Sequence, residues 1–342
     1  MQTIRRNTTK ISLRRAANKR PSAVKKSNRD NILEFRTVIH EWMSSNSIKL
    51  KESTKLKYNH MIKKHIEPEL GNRNVFAITS CDINSFLLNK KKYGRLNGNG
   101  GLSDSYVRTL AIIISSALNF AADEKKINFS KIKILKPTVI KQEAKSLSVR
   151  EQIALEKYIF SNPSPTNLGI LLSLYAGLRI GEVCALAWDD INLNEKFISV
   201  NHSLSRIESN VADTKTQLIL DKPKTISSKR IVPISEEFTK TISEFKNIST
   251  SDFVVSEKMG FVSPRTFESR YKKSLKQCGI RTVNFHTLRH TFATRCIEAG
   301  VDIKSLSEIM GHANTSVTLN TYVHSSLDMK KKQIEKLTML AM

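Results

Sequence analysis

Arg179, a lysine at 222 or 224, His286, Arg289, His312 and Tyr322 are the side chains whose types and order could do chemistry together. Arg179 lies in LYAGLRIGEVCAL, between an apolar helix expected to stop at Gly177 and a new helix expected from about Ile180. Flanked by Leu178 and Ile180, it is expected to be semi-buried, and a semi-buried guanidinium needs an anion. Glu182 would either orient it or be its only partner. Lys222 and Lys224 flank Pro223 at a turn leading into a strand, and each alone also fits a charged hairpin tip. In NFHTLRHTFATRCIEAG, Leu288, Phe292, Cys296 and Ala299 mark an apolar stripe, and His286 and Arg289, three apart, are neighbours on a helix surface. His312 follows Gly311, just past a helix C-terminus whose partial negative charge favours the protonated, donor form. Tyr322 stands on a polar connector rich in Thr and Asn, an odd place for a packing tyrosine.

Attack on a phosphodiester would use this set. A tyrosine oxygen can form a covalent intermediate, although an ordinary phenol is only about one part in a thousand phenolate at pH 7. Two guanidiniums can hold the non-bridging oxygens that gain charge at the transition state. Histidines add donors or move the phenol proton, and a lysine near 224 can protonate a poor sugar leaving group. His286 and His290 have the i,i+4 spacing of a zinc pair, but no glutamate accompanies them as in HExxH and no third ligand is evident, so no metal is expected.

The elements that must position these groups fall into two parts. Residues 1–30 hold ten Lys and Arg against one acid and show no apolar period, which reads as a flexible basic tail. From 31 to 135 the periodicity is helical: FRTVIHEWMSS, then STKLKYNHMIKKHIEPELG opening on a Ser/Thr cap and closing near Pro68 and Gly71, then SCDINSFLLNKKK capped by Ser80, then the long apolar SDSYVRTLAIIISSALNFAADEKKI. A linker is expected over 136–145. Beyond it, helices enclose a short β section made of KFISV, TQLILDKPKTI and SSKRIVPI.

The whole chain carries 56 Lys and Arg against 31 acids, a net charge of +25, which favours a polyanionic partner, nucleic acid first. No stretch approaches the roughly 18 apolar residues that cross a bilayer. With no apolar leader and no paired cysteines among Cys81, Cys184, Cys278 and Cys296, a reduced cytoplasmic setting is expected.

The order AGLRIGE, hairpin lysine, HTLRHTFAT, then MGHANTSVTLNTYVH strongly resembles the tyrosine recombinase (phage integrase) family over 146–330, most like integrases of Gram-positive phages and conjugative transposons. The resemblance implies a mainly α protein with a small antiparallel β-sheet: an all-α core-binding, SAM-like domain at 31–135 and an α+β catalytic domain at 146–342, ending in a helix at 329–342. It implies that Arg179 and Arg289 clamp the scissile phosphate and that Lys224 protonates the 5′-hydroxyl, with Lys222 as fallback. His286 and His312 would donate hydrogen bonds or manage protons, Tyr322 would attack, and Glu182 would support Arg179 from behind. Double-stranded DNA, a homotetramer on that DNA and an accessory excision or DNA-bending protein are the implied partners, with no cofactor, no metal and no membrane. An idle DNA-binding protein and a type IB topoisomerase share much of this pattern and stand as the alternatives.

Overall fold

The computed structural model describes residues 32–125, 132–139, 146–208, 216–221, 229–258, 260–312, 314–322 and Glu335. The expected basic tail, the C-terminal helix at 329–342 apart from Glu335, and both Lys222 and Lys224 lie outside the described residues. The chain divides into two compact units, Met1–Val139 and Ile140–Met342.

The first unit is helical. Its elements are α1 (Phe35–Asn46), α2 (Glu52–Met61), a π-helical continuation (Ile62–Gly71), α3 (Ser80–Tyr93) and α4 (Asp104–Lys125). Apolar residues three or four apart turn to one side of each helix and meet in a single core. Phe35, Val38 and Ile39 of α1 pack there with Ile62, Ile66, Ile83, Phe86 and the inner face of α4, from Val107 through Leu110, Ile114 and Ala117 to Ala121.

Two expected caps are not used. α2 starts after Lys51 with no side-chain cap, and α3 is capped by Thr79, whose hydroxyl accepts the Asp82 amide while Asp82 accepts the Thr79 amide. The Ser80 hydroxyl instead accepts the Lys133 amide at 2.8 Å. Asn84 then bonds both the Lys133 carbonyl and the Leu135 amide, so 132–135 is strapped onto α3.

α4 also corrects the expectation about membrane-length segments. By length and composition its residues Asp104–Glu124 would suffice to cross a bilayer. Its apolar face is instead the middle of the core, where Leu110, Ala111, Ile113 and Ile114 are fully buried.

The second unit is built around α6 (Pro165–Ala176), buried over almost its whole length because nearly every residue from Thr166 to Ala176 is apolar or small. Around it lie α5 (Val149–Ser161), α7 (Ile180–Ala185), α8 (Glu236–Asn247), α9 (Pro264–Gln277) and α10 (His286–Glu298). The helices α11 (Ile303–Met310) and α12 (Thr315–Tyr322) complete the described part. Gly177 ends α6 in a left-handed conformation, φ 65°, and a side chain there would run into the Phe292 ring.

The β section is two small antiparallel pieces. One is a sheet in the order β1 (Ile191–Asn192), β2 (Phe197–Val200), β5 (Arg230–Pro233), and the other a hairpin of β3 (Ser203–Glu208) and β4 (Thr216–Asp221). The expected strands are present; β1 and β3 are additional. β3 packs against α7, where a Cβ on Gly181 would stand 2.6 Å from Ser203 Oγ, so only glycine allows the approach.

Candidate active site

Three guanidiniums from distant segments meet at the end of one helix. Arg179, at the N-cap of α7, donates from Nη2 to the Gly311 carbonyl at 3.1 Å. Arg289, in the first turns of α10, donates from Nη2 to the Met310 carbonyl and from Nη1 to the Gly177 carbonyl at 2.5 Å. Arg230, which opens β5, donates from Nε to the Ile309 carbonyl at 2.6 Å. Carbonyls 309 to 311 are the unpaired C-terminal end of α11, where the helix dipole is negative, and each takes one cation. Gly311 turns the chain there with φ 61°, so close to Arg230 that a Cβ would meet its Cδ at 3.0 Å.

Glu182 ties two of these cations together. Its Oε1 accepts from Arg179 Nη1 at 2.8 Å and Arg230 Nη1 at 3.0 Å, and its Oε2 from the Arg179 amide and Arg230 Nη2, both at 2.8 Å. Burial alone would raise the pKa of this carboxyl, but the Arg230 and Arg179 guanidiniums outweigh it and hold it down at about 2. Glu182 is therefore charged, and it is not the sole partner of Arg179. Three guanidiniums less one carboxylate leave the cluster with two positive charges, a standing invitation to an anion.

The two histidines of the cluster stand beside it uncharged. His286 begins α10 with solvent-exposed surface, its ring edge-on to His290 with centroids 4.5 Å apart. His312 follows Gly311 and its Nδ1 lies 2.7 Å from the hydroxyl of Thr318, a buried residue of α12. Desolvation by the surrounding protein, then the neighbouring His290, Arg289 and Arg179, pushes His286 down to about 4. Desolvation, then Arg289, Arg179 and Arg230, takes His312 to about 4 as well. Against the expected protonated His312, burial first and then the three guanidiniums favour the neutral ring over the pull of the helix end.

Other expectations also shift. The half-exposed position of Arg179 holds, at 36% of its side-chain surface, while Arg289, on the same helix as His286, is buried, with only 1% of it exposed. The buried face of α10 runs through Thr287, Leu288, Arg289, Thr291 and Ala293, while Ala299, expected in the stripe, is exposed. The polar connector before Tyr322 is the helix α12, which packs on α10 and α11; that tertiary contact overrides its weak helix propensity. Tyr322 is its last residue. The cluster thus brings together Arg179, Glu182, His286, Arg289 and His312, with the backbone of Tyr322 on the adjoining helix. Among the described residues, no three His, Cys, Asp or Glu side chains are grouped as a metal site.

Arg230 escaped the sequence reading, although a signal existed. With period 2 in KRIVP, Arg230 shares a face with Val232, and its register partner is the buried Val200. An arginine on the inner face of a strand requires a buried anion, which is Glu182.

The chain is similar to known proteins. The family described as the phage integrase family matches residues 144–328, and the one described as phage integrase, N-terminal SAM-like domain, matches 34–91. A "tyrosine recombinase XerC-like" protein of Caldanaerobacter subterraneus subsp. tengcongensis is 26% identical over 331 residues, covering 88% of this chain and 81% of that protein. The transposase from transposon Tn916 of Enterococcus faecalis is 30% identical over 185 residues, covering 49% of this chain and 44% of that protein. Among solved structures, the Tn1549 transposon integrase in complex with transposon right end DNA is similar with a TM-score of 0.71 at 21% identity, over 89% of this chain and 99% of that one. A lambda integrase tetramer bound to a Holliday junction gives 0.62 at 18% identity, over 87% of this chain and 80% of that one. At these identities the two structures speak for the fold.

Proposed function

This chain belongs to the phage integrase family, and from that premise we propose how its cationic cluster cuts and rejoins DNA. It is a site-specific tyrosine recombinase, as its relatives are named. The Tyr322 oxygen attacks the phosphorus of one DNA phosphodiester; the bond to the 5′ oxygen breaks, leaving a 3′-phosphotyrosine and a free 5′-hydroxyl. Arg179 and Arg289 hold the non-bridging oxygens, and Arg289, almost fully enclosed as the chain stands, has to be uncovered when the duplex seats. The neutral imidazole of His312 or His286 can take the phenol proton. Lys224, or Lys222 in its place, gives a proton to the leaving 5′ oxygen. A 5′-hydroxyl from the partner strand reverses the step, so the bond energy is conserved and no nucleotide is consumed.

One observation supports this reading above the others. Cations from α7, β5 and α10 converge on the C-terminal end of α11, one residue before His312, and the helix that ends in Tyr322 packs on α10 and α11. We place the protein on duplex DNA as a tetramer that integrates or excises a mobile element or prophage, with an accessory excision or DNA-bending protein setting direction, in the cytoplasm of a bacterial host. The DNA-bound transposon integrase and the lambda integrase tetramer lend support to this.

The test is a nicked suicide duplex made from the junction of the DNA element that carries the gene. The expected result is a protein–DNA adduct on a denaturing gel, lost in Tyr322→Phe while binding persists. An adduct that survives Tyr322→Phe removes the nucleophile assignment. Relaxation of plasmids lacking any junction would favour a topoisomerase, and binding without any adduct an idle relative.

A further inference from the structure

We infer that Arg230 is a positioning residue for strand cleavage: by holding Glu182 in a two-pronged grip, it keeps that carboxylate from claiming Arg179. The inference rests on the recombinase reading for its consequence, but its geometry stands alone.

The Arg230 side chain is only 5% exposed. Its three described bonds point inward, two to Glu182 and one to the Ile309 carbonyl. The paired contacts, Nη1 to Oε1 and Nη2 to Oε2, are a parallel fork that fixes the plane of the carboxylate. Fixed in that plane, Glu182 offers the Arg179 side chain a single contact, Nη1 to Oε1, and spends its other oxygen on the Arg179 main-chain amide. Arg179 keeps donors for an anion because Arg230 occupies the rest of Glu182.

Without Arg230, a charged carboxylate buried to 6% exposure loses half of its partners. The nearest remaining cation is Arg179, and a bidentate Arg179–Glu182 pair would neutralise the one half-exposed guanidinium of the cluster. A second link points the same way. Through its bond to Ile309, Arg230 also fastens the last turn of α11, so the same side chain sets the places of Glu182 and of the turn leading to His312.

The experiment compares wild type, Arg230→Ala, Arg230→Lys, Glu182→Gln and the double variant Arg230→Ala/Glu182→Gln, with thermal unfolding run on each. On the suicide duplex, Arg230→Ala should form adduct about a hundredfold more slowly, the range for losing one preorganised donor, while DNA affinity changes little. The double variant should recover at least tenfold of that loss, because a neutral carboxamide cannot neutralise Arg179. A role confined to folding would not be rescued this way. If Arg230→Ala does not fold, Arg230→Lys, which keeps charge but lacks the fork, carries the same comparison and should lose more than tenfold. A variant as fast as wild type, or a double variant no faster than the single, overturns the inference.

Inorganic phosphate supplies a readout that does not depend on cleavage. Followed by the NMR shift of the His312 ring, its binding should weaken in Arg230→Ala and return in the double variant. If wild type makes no adduct yet this pattern holds, the recombinase reading fails and the role of Arg230 survives. If adduct forms but the pattern is absent, the reverse is true.

Discussion

The two units use positive charge in opposite ways. In the helical unit, Lys63 and Lys64 on the π-helical segment, and Lys91 and Lys92 near the end of α3, stand exposed, and ion pairs such as Arg73–Asp82 and Lys91–Asp104 are surface contacts. In the second unit, Arg230 and Arg289 are buried and Arg179 is half-buried, each fixed by backbone carbonyls in addition to any acid. Exposed charges act through a screened, additive field, so no single one matters much. Buried charges are held in one geometry, so each matters greatly. Basic composition alone does not separate these two cases; burial does.

The sharpest way to break this contrast is to remove a buried cation. Arg289→Met should slow adduct formation by about 10²–10³-fold, and leaving the Gly177 and Met310 carbonyls without a donor should also cost about 2–3 kcal/mol of stability. Arg179→Ala should slow the same step comparably, yet cost under about 1 kcal/mol, because Glu182 keeps Arg230 and the side chain is partly in water. Adduct rates beside urea midpoints check both, and equal stability losses would contradict the burial argument.

Gly311→Ala comes next. Its left-handed backbone and its closeness to Arg230 predict a loss of about 1–2 kcal/mol, read as a lower urea midpoint, with cleavage slowed because the arginine-bearing turn shifts.

Acid should then loosen the second unit through its histidines. His286 and His312 have folded pKa values of about 4 against an ordinary 6.5. Between those values the unfolded chain binds more protons, so stability is full above about 6.5 and is lost as pH falls toward 4. His312→Gln should flatten the fall in melting temperature across that window; an unchanged slope would show that His312 titrates normally. Glu182 acts lower, between about 4.5 and its folded value of about 2.

The smallest effect belongs to the helical unit. If Lys63 and Lys64 reach DNA phosphates, Lys63→Ala/Lys64→Ala should weaken DNA binding modestly and reduce the slope of log K against log salt by about 1 per lysine. Cleavage by bound enzyme should not change. A loss of cleavage at saturating DNA would mean that surface charge also sets the catalytic geometry.

Residue types and spacing pointed to Arg179, a lysine at 222 or 224, His286, Arg289, His312 and Tyr322 as one set, with Glu182 behind Arg179, and the structure gathers Arg179, Glu182, His286, Arg289 and His312 of these; their flanking helices announce themselves by period, glycine stops and apolar stripes. The strands of KFISV and RIVP were legible for the same local reason. What local pattern could not carry was burial and partnership. The burial of Arg289, the charge state of His312, the tie of Ser80 to Lys133 and the role of Arg230 went unmarked, because each depends on a segment remote in sequence; the Thr79 cap, by contrast, is local, closed by Asp82 three residues on. Glu182 and Arg230 are 48 positions apart, Arg289 and Gly177 112 apart. The side-chain alphabet decided which reactions were open to this protein; only the folded chain, by bringing three guanidiniums to one helix end and stripping water from them, decided which groups carry charge there and which cation stays available to a phosphate.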